Sequence, residues 1–256
     1  MPEGDSVAGD AQRLRPILVG RKIVSVGGTA PSVRSNSHRI LDETIDDVRT
    51  IGKHLMVDLS SGWSIRVHLG MPGYWRITRG EERPHGSARL VLTTATHHAA
   101  CFGAPTVDVG RTSVVDDAVA SLGPDLLGEF DEREFLRRAR RVPERAMAEV
   151  MVDQRVIAGI GNVYKSELLF LEGVHPRTTV SEVTDEALLA IASRARRLLA
   201  ANVGPRARST TGSRARGQET WVYGRAGRPC RRCATRIEQT RDGGRITYWC
   251  PVCQSP

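Results

Sequence analysis

The stretch Gln154-Arg155-Val156-Ile157-Ala158-Gly159-Ile160-Gly161-Asn162-Val163-Tyr164-Lys165-Ser166-Glu167 reads as helix, glycine turn, helix. A glycine turn at the mouth of a helix leaves backbone N–H groups and the positive end of the helix dipole facing outward, which suits a phosphate. The Asn162 side chain stands at the start of the second helix, where it caps the turn or reaches a ligand. The same text also fits a plain helical hairpin that packs two helices together, and the glycines alone do not choose.

Charge favours a polyanion. The chain has 256 residues and a formal net charge of +8. Residues 1–125 hold 14 basic and 14 acidic side chains, and residues 126–256 hold 23 and 15, so the whole excess lies in the half that carries the glycine turn. Nearly all the basic residues are arginine; the lysines are Lys22, Lys53 and Lys165. An apolar content of 40% supports buried cores in one large or two ordinary domains. No apolar run approaches the roughly 18 residues of a membrane span, and the first residues, with Glu3 and Asp5, lack the apolar core of a secretory signal.

Towards the C-terminus, Thr184–Asn202 has the apolar period of an amphipathic helix, with Arg194, Arg196 and Arg197 outside. Residues 204–219, with Arg206, Arg208, Arg214 and Arg216, read as a mobile basic loop. Then Cys230-x2-Cys233, a sixteen-residue spacer, and Cys250-x2-Cys253 give the spacing of a four-thiolate zinc ribbon. Two disulfides are the alternative, which an oxidising compartment would require. The spacer reads as a hairpin, Arg236–Gln239 and Ile246–Trp249 about Asp242-Gly243-Gly244, with Arg245 just past the turn. A zinc ion with four thiolates has no open position, so its expected part is structural. Cys101 is left over as a small buried hydrophobe.

Towards the N-terminus, Asp131–Arg141 opens on Asp131-x-x-Glu134, a variant capping box, and Pro143–Asp153 reads as a further helix. Residues 111–127 read as a connector. Before them, Lys22–Val26, Thr44–Thr50, His54–Leu59, Trp63–His68, Tyr74–Ile77, Arg89–Thr94 and Thr106–Val109 are short, β-branched runs punctuated by glycine, which suggests a β-sandwich or barrel. Residues 27–43 read as a loop or irregular edge. Gly52-Lys53 forms a tight turn with Lys53 at its tip, and Gly70-Met71-Pro72 forms a second, where Met71 is core filler or a wedge for a base stack.

The chain starts Met1-Pro2-Glu3-Gly4-Asp5, followed by a helix over Ser6–Leu18 with Asp5 as its cap. Removal of Met1 would leave Pro2 with a free secondary amine. Such an amine titrates near about 8, far below lysine, so roughly a tenth of it is neutral and nucleophilic at pH 7. Attack on a sugar carbon gives an iminium, which acidifies neighbouring C–H bonds, and Glu3 can carry the proton. The bland alternative is a frayed terminus.

Taken together, Pro2-Glu3-Gly4, Gly52-Lys53, the Asp153–Glu167 stretch and the zinc hairpin with Arg245 resemble, in order and spacing, bacterial bifunctional DNA glycosylases of the formamidopyrimidine-DNA glycosylase/endonuclease VIII family. The resemblance implies an α+β fold: an N-terminal β-sandwich flanked by helices, a helical domain with a helix–two-turn–helix, and a C-terminal four-cysteine zinc finger hairpin, with DNA bound between the domains. The implied division is a catalytic domain over 1–115, a linker over 116–128, a helical domain over 129–222 and the finger over 223–256. Pro2 would be the Schiff-base nucleophile and Glu3 the proton donor and acceptor. Lys53, Asn162 and Arg245 would hold phosphates, Lys53 and Arg245 also assisting the chemistry, and Met71 would fill the void left by a flipped base. Cys230, Cys233, Cys250 and Cys253 would hold one structural zinc. The implied activity is base excision and strand cleavage by β,δ-elimination on damaged double-stranded DNA, with single-stranded or bubble DNA as further substrates, by a cytoplasmic, nucleoid-associated bacterial monomer. The start Pro2-Glu3-Gly4-Asp5 resembles the endonuclease VIII branch. The region Cys101-Phe102-Gly103-Ala104-Pro105 lacks the arginines of the other branch, so oxidised pyrimidines are favoured over 8-oxoguanine. Ser121 and Gly70-Met71-Pro72 depart from the endonuclease VIII pattern. That leaves a lyase confined to abasic sites, or a DNA-binding protein without turnover, as the alternatives.

Overall fold

The computed structural model describes residues 2–80, 86–204, 207–242 and 244–255. The chain forms two compact units, Met1–Ser121 and Leu122–Pro256.

The first unit is a β-sandwich flanked by helices. Helix α1 (Gly4–Leu18) is followed by β1 (Ser25–Gly27), α2 (Pro31–Ile40), and the strands β2 (Ile45–Ile51), β3 (His54–Leu59), β4 (Trp63–His68), β5 (Tyr74–Arg79), β6 (Leu90–Thr93), β7 (His97–Phe102) and β8 (Thr106–Arg111), then a short α3 (Thr112–Asp117). One sheet has the order β2-β3-β4-β8 and the other β1-β6-β7-β5, and every neighbouring pair is antiparallel. Leu55, Val57, Ile65, Val67, Val107 and Val109 of the first sheet meet Trp75, Leu90, Leu92, Ala99 and Cys101 of the second in one core. Val7, Ala11, Leu14 and Leu18 of α1 join that core, and burying each of the larger ones contributes roughly 1.5–3 kcal/mol. This burial fixes the chain start against the sandwich.

Three local readings are corrected. Residues 27–43 are not loop, because α2 occupies Pro31–Ile40. Its sequence is rich in Ser, Asn and His, and only Val33 and Ile40 are buried, so no apolar stripe announces it. Tertiary contacts hold it instead. Ser32 Oγ accepts from the Val109 N–H at 2.8 Å and donates to the Val109 carbonyl at 3.3 Å, closing the open edge of β8. The eighth strand, β7, has the run His97-His98-Ala99-Ala100-Cys101-Phe102, buried on both faces from Ala99 onward, which hides the alternation that marks a strand. Glu3 rather than Asp5 occupies the cap of α1; Asp5 lies in the first turn, where its carboxylate accepts from the Ser6 N–H at 2.7 Å. Pro16 stays inside α1, on the same exposed face as Gln12, whose carbonyl it leaves without its usual partner.

The second unit is helical and ends in a hairpin. It comprises α4 (Glu132–Ala139), α5 (Met147–Val150), α6 (Asn162–Leu171), a 3₁₀ turn (Val180–Glu182), α7 (Asp185–Asn202), β9 (Glu238–Asp242) and β10 (Arg245–Trp249). Asp131 caps α4 by accepting from the Glu134 N–H at 3.0 Å, and Thr184 caps α7 through the Ala187 N–H at 3.2 Å. The helix expected over Pro143–Asp153 shrinks to one turn, α5. The segment ahead of the glycine turn is also not helical. It is a chain of turns in which Ala158 bridges Asp125, because Gln154 binds across it: its amide donates to the carbonyls of Val152 and Ile160, both at 3.0 Å, and its oxygen accepts from the Gly159 N–H at 3.1 Å. Leu126, Phe135, Met147, Ile157, Ile160, Tyr164, Leu168, Ile191 and Leu199 form this unit's core. No helix among the described residues is long and apolar enough to cross a membrane.

Candidate active site

The first two candidate positions, Pro2 and Glu3, lie immediately ahead of helix α1. Pro2 is half-buried and Glu3 is extended, with φ −127° and ψ −176°, so the chain enters the helix with a sharp change of direction. The Glu3 carbonyl starts the helix by accepting from Ser6 and Val7, at 3.0 and 3.1 Å. The Glu3 residue is 0% exposed and Asp5 2%. Two carboxylates are thus enclosed within three residues of Pro2, at the end of the helix whose dipole favours negative charge.

Lys53 sits on the two-residue turn between β2 and β3, where Ile51 pairs with His54. Gly52 takes φ +58° and Lys53 does not, the combination a type II′ hairpin requires. Behind this tip the rings of His54 and His68 lie 4.9 Å apart. Burial first, then His68, Arg66 and Lys53, push His54 down to about 3; burial, Lys53 and Arg66 lower His68 as well. The pair stays neutral, and positive charge remains with Lys53 and with Arg66, which pairs with Asp108. Met71 tips the next turn and is 75% exposed, so the core-filler alternative is excluded. The turn depends on glycine: Gly70 has φ +60°, and a Cβ at Gly73 would meet the Leu69 carbonyl oxygen at 2.1 Å. Tyr74 follows it, 55% exposed, stacked on Phe102 with centroids 5.2 Å apart.

In the second unit Gly161 is the residue before α6, and Asn162 is the first helical residue. The Asn162 amide does not stand alone. Its Nδ2 donates to the Ile246 carbonyl at 2.8 Å and its Oδ1 accepts from Lys165 Nζ at 2.7 Å. Arg245, exposed, begins β10 immediately before Ile246. The two residues are therefore joined through one strand end. Gly243 of the hairpin turn lies outside the described residues, as does Arg206 of the basic loop. The described part of that loop has no helix or strand but is tethered: Asn202 exchanges two 2.8 Å bonds with Ser209, and the Thr210 hydroxyl donates to Glu167. Glu167, fully buried in α6, also accepts from the N–H groups of Trp221, Val222 and Tyr223.

The four cysteines converge. All their Sγ atoms lie within 4.8 Å of one another, with Cys230–Cys253 at 3.9 Å and Cys233–Cys250 at 3.4 Å. Thiolates set tetrahedrally about 2.3 Å from a zinc ion stand about 3.8 Å apart, so the set fits the metal. None of the described cysteines forms a disulfide. Cys250 N–H donates to Gln254, whose amide donates in turn to Val174, tying the finger to the end of α6. The bonds that Gln154, Lys165 and Glu167 make within the second unit were not foreseen from the sequence; the signal available was three long polar side chains among the apolar residues of the motif.

Residues 1–105 match the formamidopyrimidine-DNA glycosylase N-terminal domain, residues 122–213 the formamidopyrimidine-DNA glycosylase H2TH domain, and residues 227–256 the zinc finger found in FPG and IleRS. The DNA-(apurinic or apyrimidinic site) lyase Nei2 of Mycolicibacterium smegmatis is 42% identical over 261 residues, spanning 100% of this chain and 99% of that protein. The chain belongs to the formamidopyrimidine-DNA glycosylase/endonuclease VIII family. Endonuclease 8 2 of Mycobacterium tuberculosis is 40% identical over 99% of this chain and 100% of its own, and a formamidopyrimidine-DNA glycosylase of Pectobacterium atrosepticum 33% over 99% and 100%. Within the family the fold is that of Lactococcus lactis formamidopyrimidine-DNA glycosylase bound non-covalently to DNA containing an AP site, with a TM-score of 0.86 over 100% of both chains at 23% identity.

Proposed function

We propose that this protein is a bifunctional DNA glycosylase and AP lyase that removes oxidised bases, pyrimidines above all, from double-stranded DNA. What carries the reading is Glu3: a carboxylate 0% exposed, directly beside Pro2, at the head of a helix in a family of DNA glycosylases and lyases. With Met1 removed, the Pro2 nitrogen attacks C1′ of the flipped nucleotide. The C1′–N bond to the base breaks, the base leaves with a proton, and the sugar opens to an iminium on Pro2. Loss of a C2′ proton expels the 3′ phosphate, and a second elimination expels the 5′ phosphate, leaving a one-nucleotide gap. Glu3 carries protons at the sugar. Lys53, Asn162 and Arg245 hold the phosphates beside the lesion, Lys53 and Arg245 also assisting elimination, and Met71 enters the vacated stack.

Zinc on Cys230, Cys233, Cys250 and Cys253 supplies no chemistry to these steps; bound, it holds the hairpin that presents Arg245. The working divisions are 1–115 for chemistry, 116–128 as linker, 129–222 for DNA binding and 223–256 for the finger. The protein works as a monomer on nucleoid DNA in the cytoplasm, and accepts single-stranded or bubble DNA as well as duplex. A lyase restricted to abasic sites is the second reading, favoured by the name of the Mycolicibacterium smegmatis relative and by Gly70-Met71-Pro72 in place of a longer wedge.

Borohydride trapping on two duplexes, one with an abasic site and one with 5-hydroxyuracil, tests this. Both should give a covalent adduct that peptide mapping assigns to Pro2, and Pro2→Gly should sharply reduce base excision from the 5-hydroxyuracil duplex. An adduct with the abasic duplex alone selects the lyase. No adduct from protein of verified mass lacking Met1 overturns the enzymatic reading.

A further inference from the structure

Lys165 is 2% exposed, an unusual place for an ammonium group. Its Nζ donates to Asn162 Oδ1 at 2.7 Å and to Thr247 Oγ1 at 2.7 Å, and lies 3.5 Å from the Ile246 carbonyl. The Asn162 Nδ2 donates to that same carbonyl at 2.8 Å. Ser166, the next residue of α6, receives the Tyr248 N–H at 3.4 Å. The first turn of α6 and the start of β10 are therefore sewn together, and Lys165 is the stitch that touches both.

The chemistry of these partners fixes an orientation. An ammonium only donates, so the face of the Asn162 amide towards Lys165 must be its oxygen; a peptide carbonyl only accepts, so the face towards Ile246 must be its nitrogen. The amide plane has no freedom to flip while both partners are in place. Replace the ammonium by an apolar group and one of the two constraints disappears. The same ammonium holds Thr247, two residues from Arg245, and lines with Arg145, Glu149, Arg245 and Thr247 a pocket of about 190 Å³.

We propose that Lys165 is a positioning residue for the phosphate grip. It sets the Asn162 amide and the root of the Arg245 strand in the geometry that binds the lesion's flanking phosphates, acting through them and not on the substrate. This rests on the reading that Asn162 and Arg245 contact phosphate, and the test separates the two.

The affinity for a duplex carrying a tetrahydrofuran abasic analogue is measured with the full-length, metal-loaded protein, alongside metal content and melting temperature. The variants are Asn162→Ala, Arg245→Ala, Lys165→Met, the Asn162→Ala/Lys165→Met double variant, and Thr247→Val, which removes only the hydroxyl that the ammonium meets. Asn162→Ala should weaken binding about tenfold or more, the value of a hydrogen bond to a charged group. Lys165→Met should match it at unchanged metal content, and the double variant should lose no more than either single, because both changes remove one device. Thr247→Val should show a smaller loss in the same direction, and it stands in for Lys165→Met if that variant does not fold. A merely structural lysine would instead give losses that multiply in the double variant, together with metal loss. Wild-type affinity in Lys165→Met, or multiplied losses, overturns the proposal while leaving the phosphate grip intact. Wild-type affinity in both Asn162→Ala and Arg245→Ala overturns the grip and the proposal with it.

Discussion

Replacing Glu167 by glutamine should lower the melting temperature by about 9 °C. The carboxylate is fully buried, and its two oxygens divide four donors. Oε1 accepts from Val222 at 2.9 Å and Tyr223 at 2.7 Å, and Oε2 accepts from Trp221 at 2.7 Å and from the Thr210 hydroxyl. Burial pushes the carboxyl above its ordinary range, against the pull of these donors. Glutamine keeps the shape but turns one oxygen into a donor, so whichever way it sits, two donors face a third. Two charge-assisted bonds at roughly 1.5–3 kcal/mol each are lost, about 3–6 kcal/mol in all. Relief from burying a charge returns a part of this, leaving about 3 kcal/mol. At roughly 3 °C per kcal/mol for a domain of this size, the shift is about 9 °C. Differential scanning calorimetry reads the shift, and hydrogen exchange at the amides of residues 221–223 should accelerate with it. A shift below about 2 °C, with those amides still protected, would show that the four donors do not depend on the charge.

Three further outcomes follow from the geometry. Metal chelation, or Cys250→Ser, should abolish DNA binding while the sandwich unit stays folded, read by band shift and by circular dichroism; binding that survives verified metal loss would refute a structural metal. Arg245→Ala should weaken DNA binding and flatten its salt dependence by about one unit of log–log slope, and an unchanged slope would remove Arg245 from the phosphates. His54 is held neutral down to about 3 in the folded chain, against 6.5 when unfolded. Between these values the unfolded chain takes a proton that the folded one refuses. Stability present above pH 6.5 is therefore lost as pH falls towards 3, at up to about 1.4 kcal/mol per unit, and His54→Gln should flatten the profile of melting temperature between pH 7 and 4.

Much of this was legible in the residues themselves. Alternation in β3, β4 and β8 and the period of α7 come from burial on one face, and such faces are written in sequence. The cysteine spacing announced the hairpin for the same kind of reason, since ligand geometry fixes it. What stayed hidden depends on partners far along the chain. Helix α2 exists because Ser32 meets Val109, and β7 because its neighbours bury both of its faces. Gln154 turns an expected helix into turns by binding three backbone groups that a linear reading does not bring together. Asn162 could be placed from the glycine turn, but the lysine that orients it is three residues away in sequence and only matters once β10 lies alongside.

Cys101 has a consequence for the conditions in which such a protein would work. It is 0% exposed in the centre of the sandwich, and burial pushes its thiol up to about 12. Oxidants attack thiolates, and this sulfur is neither ionised nor reachable. A peroxide burst that damages bases would pass over this thiol and meet instead the exposed thioether of Met71 and the exposed Cys233 of the finger. With Pro2 as the proposed nucleophile and the finger as the proposed grip, oxidation would loosen the hold on DNA before it touches the amine.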